Sequence, residues 1–204
     1  MTQRMKIAAA GLTASTFLAA GPASATFVEA SLAEIGDDLV FEFEGTVDTT
    51  GLGLFGGFLP RPNEIAPSDP YITSLPGNFS FYEEFDGVFP SFGPGGLVAY
   101  PQPLQSLATG DAFGFLGDGS LGQIYVPVGY ASGEPLSGSA TFFDLTLADI
   151  GAEEGVYVGS IGATTIEFTV GGDGLGGTSE VPLPAAAWLM LSALGALAAI
   201  RRRA

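Results

Sequence analysis

The acidic residues are the ones in this sequence whose type and spacing suit catalysis or ligand binding. The densest group is the stretch NFSFYEEFDGVF, residues 78–89, in which Glu83, Glu84 and Asp86 lie among phenylalanines and Tyr82. Glycoside hydrolysis requires two carboxylates about 5–10 Å apart on either side of a sugar cleft, and aromatic faces beside acids suit sugar binding. In functional terms, the stretch indicates a carbohydrate-binding module or a secreted glycoside hydrolase that uses Glu83 or Glu84.

The same stretch has a structural interpretation, which the sequence favours. A strand followed by a turn would direct aromatic rings into a core and leave the carboxylates in solvent. The chain contains no histidine and no cysteine, so it lacks the usual base and thiol of nucleophilic catalysis and the common zinc ligands. We therefore expect a protein that is not an enzyme, with no catalytic and no cofactor-binding residues; the two carbohydrate functions remain as alternatives.

Calcium is the ion for which the sequence offers ligands. Asp118 in GDGS, Asp173 in GGDG and the pair Asp37 and Asp38 lie in glycine-rich loops, and carboxylate oxygens are the hard ligands that Ca²⁺ prefers. Acids of this kind are more often solvated turn residues, and that interpretation is favoured here. We expect no metal and no cofactor, with calcium as the alternative.

Charge divides the chain into a middle and two ends. All 22 acidic residues lie between Glu29 and Glu180, where Arg61 is the one basic residue, which gives residues 26–180 a net charge of −21. The other basic residues lie near the two termini. Binding of nucleic acid requires lysine or arginine to neutralise phosphates, so nucleic acid is excluded as a partner of the middle.

Short alternating segments separated by glycine and proline clusters dominate the middle. Apolar and polar residues alternate over 39–48, 165–170 and 124–130, and Pro127 favours an edge position for the last of these strands. Weaker candidates lie at 78–82, 97–100, 112–116, 139–147 and 155–161, and the turn clusters lie at 51–57, 60–70, 91–96, 117–122, 132–135 and 171–177. The predicted fold class is all-β, with a β-sandwich or jelly-roll-like ectodomain over 26–170. The glycine-rich residues 171–180 are predicted to be a flexible linker.

The first 25 residues have the three parts of a secretory signal peptide. Two basic residues among the first six precede a short apolar region over 7–20, and Ala23-Ser24-Ala25 offers small residues at the cleavage site. The pattern predicts export by the secretion machinery and cleavage by signal peptidase between Ala25 and Thr26.

The last 24 residues combine a proline-containing motif, an apolar run and three arginines. Residues 185–200 carry no charge, and the run counted from Val181 would span about 30 Å as a helix, which is about the thickness of the hydrocarbon core. Arg201, Arg202 and Arg203 would remain in the cytoplasm by the positive-inside rule. We therefore predict a single transmembrane helix with the ectodomain outside.

This C-terminal arrangement resembles the PEP-CTERM class of protein-sorting signals, in its VPLPA-type variant. The motif is matched by Val181, Pro182, Leu183, Pro184 and Ala185, and the apolar run and the arginine cluster follow it. The resemblance implies an inner-membrane precursor with a cytoplasmic C-terminus, an exosortase-type membrane protease as partner, and delivery to the cell surface or to an extracellular exopolysaccharide matrix. On this basis we expect an exported, non-enzymatic surface or matrix protein.

Overall fold

The computed structural model describes residues 26–59, 61–85, 87–117 and 119–175, and these form two β-sheets and one short helix. The strands are β1 (Phe27–Ile35), β2 (Asp38–Thr46), β3 (Gly53–Phe58), β4 (Asn63–Ala66), β5 (Tyr71–Ser74), β6 (Phe79–Glu84), β7 (Val98–Tyr100), β8 (Ser106–Gly110), β9 (Phe113–Gly117), β10 (Gly122–Pro127), β11 (Pro135–Phe142), β12 (Gly155–Ile161) and β13 (Thr164–Val170), and the helix is α1 (Leu147–Ile150). The predicted all-β fold is thus confirmed for this part of the chain. None of its helices has the length and apolar character needed to cross a bilayer.

The strands are arranged in two sheets that pack against each other as in a β-sandwich. Sheet A has the order β12-β13-β1-β2-β11-β8, and sheet B has the order β3-β6-β10-β9-β5-β4-β7. Strands β1 and β13 pair in parallel, so the first and last strands are neighbours in sheet A. The other strand pairs described are antiparallel.

Aromatic rings from both sheets fill the space between them. Phe43 of sheet A and Phe113 of sheet B meet with their ring centroids 4.9 Å apart. Phe168 of β13 contacts Phe41 within its own sheet and Phe115 of sheet B, at 6.1 and 5.5 Å. Because side chains alternate between the faces of a strand, these rings face inward while their sequence neighbours face outward.

The strand pattern differs from the sequence expectation in several places. Strand β3 overlaps the segment 51–57 and β4 lies inside 60–70, and both segments were predicted as turn clusters. The edge position predicted from Pro127 is wrong, because β10 lies between β6 and β9 in the interior of sheet B. Pro127 is the last residue of that strand, where a missing N–H interrupts the ladder least.

The beginning of the predicted linker lies on the outer face of sheet A. The N–H of Leu175 donates a hydrogen bond to the Glu42 carboxylate at 3.2 Å. Residues 171–175 pass over Ser31 and Ala33, which are buried although they face outward from β1. The rest of the linker, 176–180, lies outside the described residues.

Three glutamates form a row across the outer face of sheet A. Glu167, Glu29 and Glu44 are direct neighbours on β13, β1 and β2. Like charges that lie directly opposite each other in a sheet are destabilising. The row therefore reduces the stability of the domain.

Replacing Glu29, the middle glutamate of the row, with threonine is expected to raise the free energy of unfolding by about 0.5–1 kcal/mol. The substitution removes two repulsive pairs and introduces a residue that favours strands. Chemical denaturation at low and high salt measures the gain, which should shrink at 1 M salt because the screening length falls to about 3 Å. The exposed Glu153 lies outside the row, and Glu153→Thr is the control. An equal gain in both variants would contradict the prediction.

Candidate functional site

Six aromatic side chains form a continuous layer on the outer face of sheet B. We call this layer the aromatic band; it consists of Phe55, Phe58, Tyr71, Phe79, Phe81 and Tyr125. Its neighbouring rings lie with centroids between 5.2 and 5.8 Å apart. All of its rings except Phe55 belong to a second hydrophobic cluster, separate from the core between the sheets.

The positions of the rings follow from strand alternation and from one β-bulge. On β10, Ile124 and Val126 pack into the core between the sheets, and Tyr125 between them faces outward. On β3 the register shifts between Leu54 and Gly56, which leaves Phe55 as the extra residue of a bulge. Bulges redirect side chains, and here the Phe55 ring stacks on Phe81 at 5.3 Å with an interplanar angle of 18°.

A glycine of β9 lies where the two tyrosines of the band approach each other. Gly114 pairs with Tyr125 on one side and with Thr73 of β5 on the other. A Cβ atom at Gly114 would lie 2.6 Å from the Ile72 carbonyl oxygen and 2.7 Å from the Thr73 side chain. The glycine thus leaves no side chain of β9 at this point, and the ring centroids of Tyr71 and Tyr125 lie 5.8 Å apart.

The band has a buried base and an exposed surface. Phe79 and Tyr125 are buried, with 1% and 8% of their surface exposed, whereas Phe55 is 65% exposed. Phe58, Phe81 and Tyr71 are half-buried. An approaching ligand would therefore meet Phe55 first.

Hydrogen-bonded polar groups lie next to the rings on the same face. The Tyr125 hydroxyl donates to Gln123 Oε1 at 2.7 Å, and Gln123 Nε2 donates to Glu83 Oε1 at 2.6 Å. The Tyr71 hydroxyl donates to Glu64 Oε2 at 2.7 Å. Burial, as the largest cause, raises the pKa of both tyrosine hydroxyls. Both hydroxyls are protonated donors at neutral pH. Their acceptors, Glu64 and Gln123, lie at the edge of the band.

A cavity of about 360 Å³ opens beside the two tyrosines, and its lining includes Arg61, Glu64, Asp69, Tyr71 and Tyr125. Its volume falls within the range of small-molecule sites. Arg61, the one basic residue in the described part of the chain, lies with its guanidinium carbon 5.5 Å from the centre of the Phe58 ring.

A larger hollow of about 480 Å³ lies on the outer face of sheet A. Its lining includes Phe27, Glu29 and Glu44. It combines carboxylates with one aromatic ring and has no stacked layer comparable to the aromatic band. The band is therefore the better candidate for a binding site.

The side chains of the acidic and aromatic stretch over 78–89 are divided between the outer face of sheet B and the core between the sheets. Glu83 faces outward and joins the hydrogen bonds beside the band, whereas Tyr82 and Phe89 pack with the core between the sheets. The Glu84 carboxylate accepts a hydrogen bond from the Gly162 N–H. Asp86 lies outside the described residues.

The two glutamates do not form the arrangement of a glycosidase pair. Glu83 and Glu84 are consecutive residues of β6, so their side chains leave opposite faces of the strand. The other outward acid beside the band, Glu64, lies four strands away in the sheet order and accepts a hydrogen bond from the Tyr71 hydroxyl. Carboxylates on opposite faces of one strand do not flank a single sugar, as glycoside hydrolysis requires.

The acids proposed as calcium ligands are not brought together in the described part of the chain. Within that part, no three acidic side chains lie close enough to share a metal ion. The Asp38 carboxylate instead accepts a hydrogen bond from the Asp144 N–H at 3.0 Å. Asp118 lies outside the described residues, and Asp173 is exposed.

Several residues of the candidate site were missed in the sequence. Phe55 and Arg61 lie in segments predicted as turns, Phe58 lies between those two segments, and Tyr71 lies in a strand that was not predicted. The segment QIYVP did contain a signal, because Gln123 and Tyr125 alternate with Ile124 and the following valine. That alternation indicates which side chains face outward but not what lies beside them.

Of the residues predicted to direct export, the structure describes Thr26. Its hydroxyl donates to the Ala163 carbonyl at 3.1 Å, and its own carbonyl accepts from the Thr165 N–H. Thr26, the predicted first residue of the exported form, is thus hydrogen-bonded to the domain. The other predicted residues lie outside the described part of the chain: Ala23, Ala25, Val181, Pro182, Leu183, Pro184, Ala185, Arg201, Arg202 and Arg203.

Together, the fold and the band define an all-β, sandwich-like domain with an aromatic outer face. Comparison of the chain with protein-family models, with curated proteins and with solved structures gives no match.

Proposed function

We propose that the chain is an exported, non-enzymatic protein of the cell surface or extracellular matrix, and that it holds polysaccharide through the aromatic band. The observation that carries the binding part of this proposal is the layer of six contacting rings on an outward sheet face, in which Phe55 is 65% exposed and stacks on Phe81. Exposed apolar surface of this kind marks interaction sites.

A polysaccharide fits both components of this face. Sugar rings present apolar C–H faces that can lie on aromatic rings, and their hydroxyl groups exchange hydrogen bonds with polar side chains at the edge. Glu83 and Gln123 lie at one side of the band, and Glu64 lies at the other. The face thus offers stacking along its centre and hydrogen-bonding groups along its margins.

The delivery part of the proposal rests on the sequence at the two ends of the chain. Secretion machinery and signal peptidase would release the chain at Thr26, and an exosortase-type protease would process the VPLPA-type motif at 181–185. The precursor would reside in the inner membrane through its C-terminal helix before release to the surface or matrix. We also propose that the strands of the ectodomain are connected as in a jelly roll.

Replacing Phe55 with alanine is expected to weaken retention by the exopolysaccharide of the producing cell at least tenfold, which corresponds to about 1.4 kcal/mol. Because the ring is largely exposed, the free energy of unfolding should stay within about 0.5 kcal/mol of the wild-type value. Affinity electrophoresis through gels that contain the polysaccharide measures the effect. Phe27→Ala removes a ring that is 40% exposed on the outer face of sheet A and serves as the control. Equal retention of wild type and Phe55→Ala would refute the binding part of the proposal.

A further inference from the structure

The polar groups around the aromatic band are mainly acceptors with negative charge. Glu64 and Asp69 line the cavity beside Tyr71, and Glu83 lies at the opposite margin. Arg61, the basic residue in this region, is positioned over the Phe58 ring and also lines the cavity. A ligand that supplies hydrogen-bond donors and positive charge would complement this surface.

The cavity combines two features that attract an organic cation. Tyr71 and Tyr125 line the cavity, and aromatic rings attract ammonium groups that lie within about 6 Å of the ring centre. The carboxylates of Glu64 and Asp69 line the same cavity and outnumber its one guanidinium, that of Arg61, so the lining carries net negative charge. Its volume of about 360 Å³ is at the lower end of the range for ligand sites, so it suits one sugar unit rather than a long segment.

The band connects this cavity to the most exposed ring. From Phe55 the ring centroids step to Phe81, then to Tyr125 and then to Tyr71, at 5.3, 5.6 and 5.8 Å. A polymer lying on Phe55 could therefore extend along the band and place one of its units at the cavity. The site favours a chain of sugars over a single sugar.

The charge of the whole domain acts in the same direction. Residues 26–180 carry 22 acidic side chains and one arginine, and such a field attracts cationic ligands and repels anionic ones. A polysaccharide rich in uronate or sulfate would be repelled, whereas one with protonated amines would be attracted.

We propose that the preferred ligand of the aromatic band is an amino-sugar polysaccharide with free, protonated amino groups, one of which occupies the cavity formed by Tyr71, Glu64 and Asp69. This inference rests on the proposed function, because it names the polymer class that the same face binds. Stacking on Phe55 and Phe81 supplies affinity for sugar rings in general, and the cavity supplies the preference for the amine.

The test compares three polymers on the exported protein purified from its producing cell. The probes are a partly deacetylated β-1,4-linked N-acetylglucosamine polymer, the same polymer after complete re-acetylation, and a polyuronate. At 0.15 M salt we expect at least tenfold tighter binding of the deacetylated polymer than of its re-acetylated form, and no measurable binding of the polyuronate.

Charge-neutral variants separate the cavity from general attraction. Asp69→Asn is similar in shape and should weaken binding of the deacetylated polymer several-fold while leaving the re-acetylated polymer within twofold. Glu64→Gln retains an oxygen that can accept from Tyr71 and should weaken binding of the deacetylated polymer by a larger factor than binding of the re-acetylated one. Glu29→Gln removes the same charge from the outer face of sheet A and should preserve the preference. Circular dichroism confirms that each variant is folded.

The outcomes distinguish this inference from the proposed function. Equal affinity for the two forms of the polymer, with both weakened by Phe55→Ala, would overturn the amine preference and leave the polysaccharide site intact. A loss in Glu29→Gln as large as in Glu64→Gln would also overturn it, because the preference would then reflect net charge alone. If Phe55→Ala changes binding of neither polymer, the proposed function fails, and this inference fails with it.

Discussion

Replacing Phe168 with alanine is expected to lower the free energy of unfolding by about 3–5 kcal/mol. The side chain is fully buried in β13, and its ring lies 5.1–6.3 Å from four others, those of Phe41, Phe89, Phe92 and Phe115. These neighbours belong to both sheets and to the segment that connects β6 with β7. Because separate elements hold them, they would not move together to fill the cavity left by the missing ring. Single domains are typically stable by about 5–15 kcal/mol, so this loss would bring the protein close to unfolding at room temperature.

Urea denaturation followed by circular dichroism measures this loss. Phe168→Leu retains an apolar side chain and should cost less than Phe168→Ala, because a smaller volume is left empty. Phe85→Ala removes the same ring at a site that is 81% exposed, and its effect should stay within about 0.5 kcal/mol. If Phe168→Ala is no more destabilising than Phe85→Ala, the packing described between the sheets is wrong.

Strands with one buried and one solvated face were predictable from the sequence. In β2, Leu39, Phe41 and Phe43 are buried and alternate with half-buried residues, which produces a clear period of two. The first strand lacks that contrast. Ser31 and Ala33 on its outward side are buried beneath residues 171–175, so small residues occur on both faces. The contact that buries them joins positions about 140 residues apart in sequence. The alternation of apolar and polar residues is therefore absent from this strand.

The fourth strand was hidden by residues that are typical of turns. Asn63 stands between prolines and charged residues, yet it begins β4 and is fully buried. Its side chain donates to Ser106 Oγ at 3.0 Å and accepts from the Leu75 N–H at 2.9 Å. Buried amides require such partners, and these partners are remote in the sequence. Local composition therefore indicated a turn at a position where distant hydrogen bonds support a strand.

The candidate site depends on the order of strands, which local patterns do not specify. The aromatic content of residues 78–89 was evident in the sequence, and Phe79 and Phe81 do belong to the band. The sheet order β3-β6-β10-β9-β5 then adds Phe55 and two tyrosines from separate parts of the chain. The prediction of aromatic rings beside acids was correct in composition. The assignment of these rings to one continuous outward face required the register of the strands.

Replacing Arg201, Arg202 and Arg203 together with alanine is expected to leave export intact and to block C-terminal processing, so that the precursor accumulates in the inner membrane. The arginines would hold the predicted helix in register, since moving one charge to the bilayer centre costs about 2.5–3.5 kcal/mol on insertion scales. Pro182 and Pro184 disfavour helical conformation in the residues before them, which suits entry of the motif into a protease cleft.

The position of the domain adds a constraint on that processing. Leu175 is bound to Glu42 on the outer face of sheet A, and five residues separate it from Val181. The six steps from Leu175 to Val181 span at most about 22 Å, so the protease would act close to sheet A and away from the aromatic band. Processing should therefore proceed while polysaccharide occupies the band.

Intact mass and immunoblotting of inner-membrane, surface and medium fractions measure the outcome. Replacing the same three arginines with lysine keeps the charge and should restore normal processing, which separates the role of charge from that of side-chain shape. Replacing Pro182 and Pro184 with alanine should block processing without changing membrane insertion. Processing of the alanine variant at the wild-type rate would contradict the sorting role. Wild-type protein that retains Ala204 at its final location would show instead that the segment is a permanent anchor.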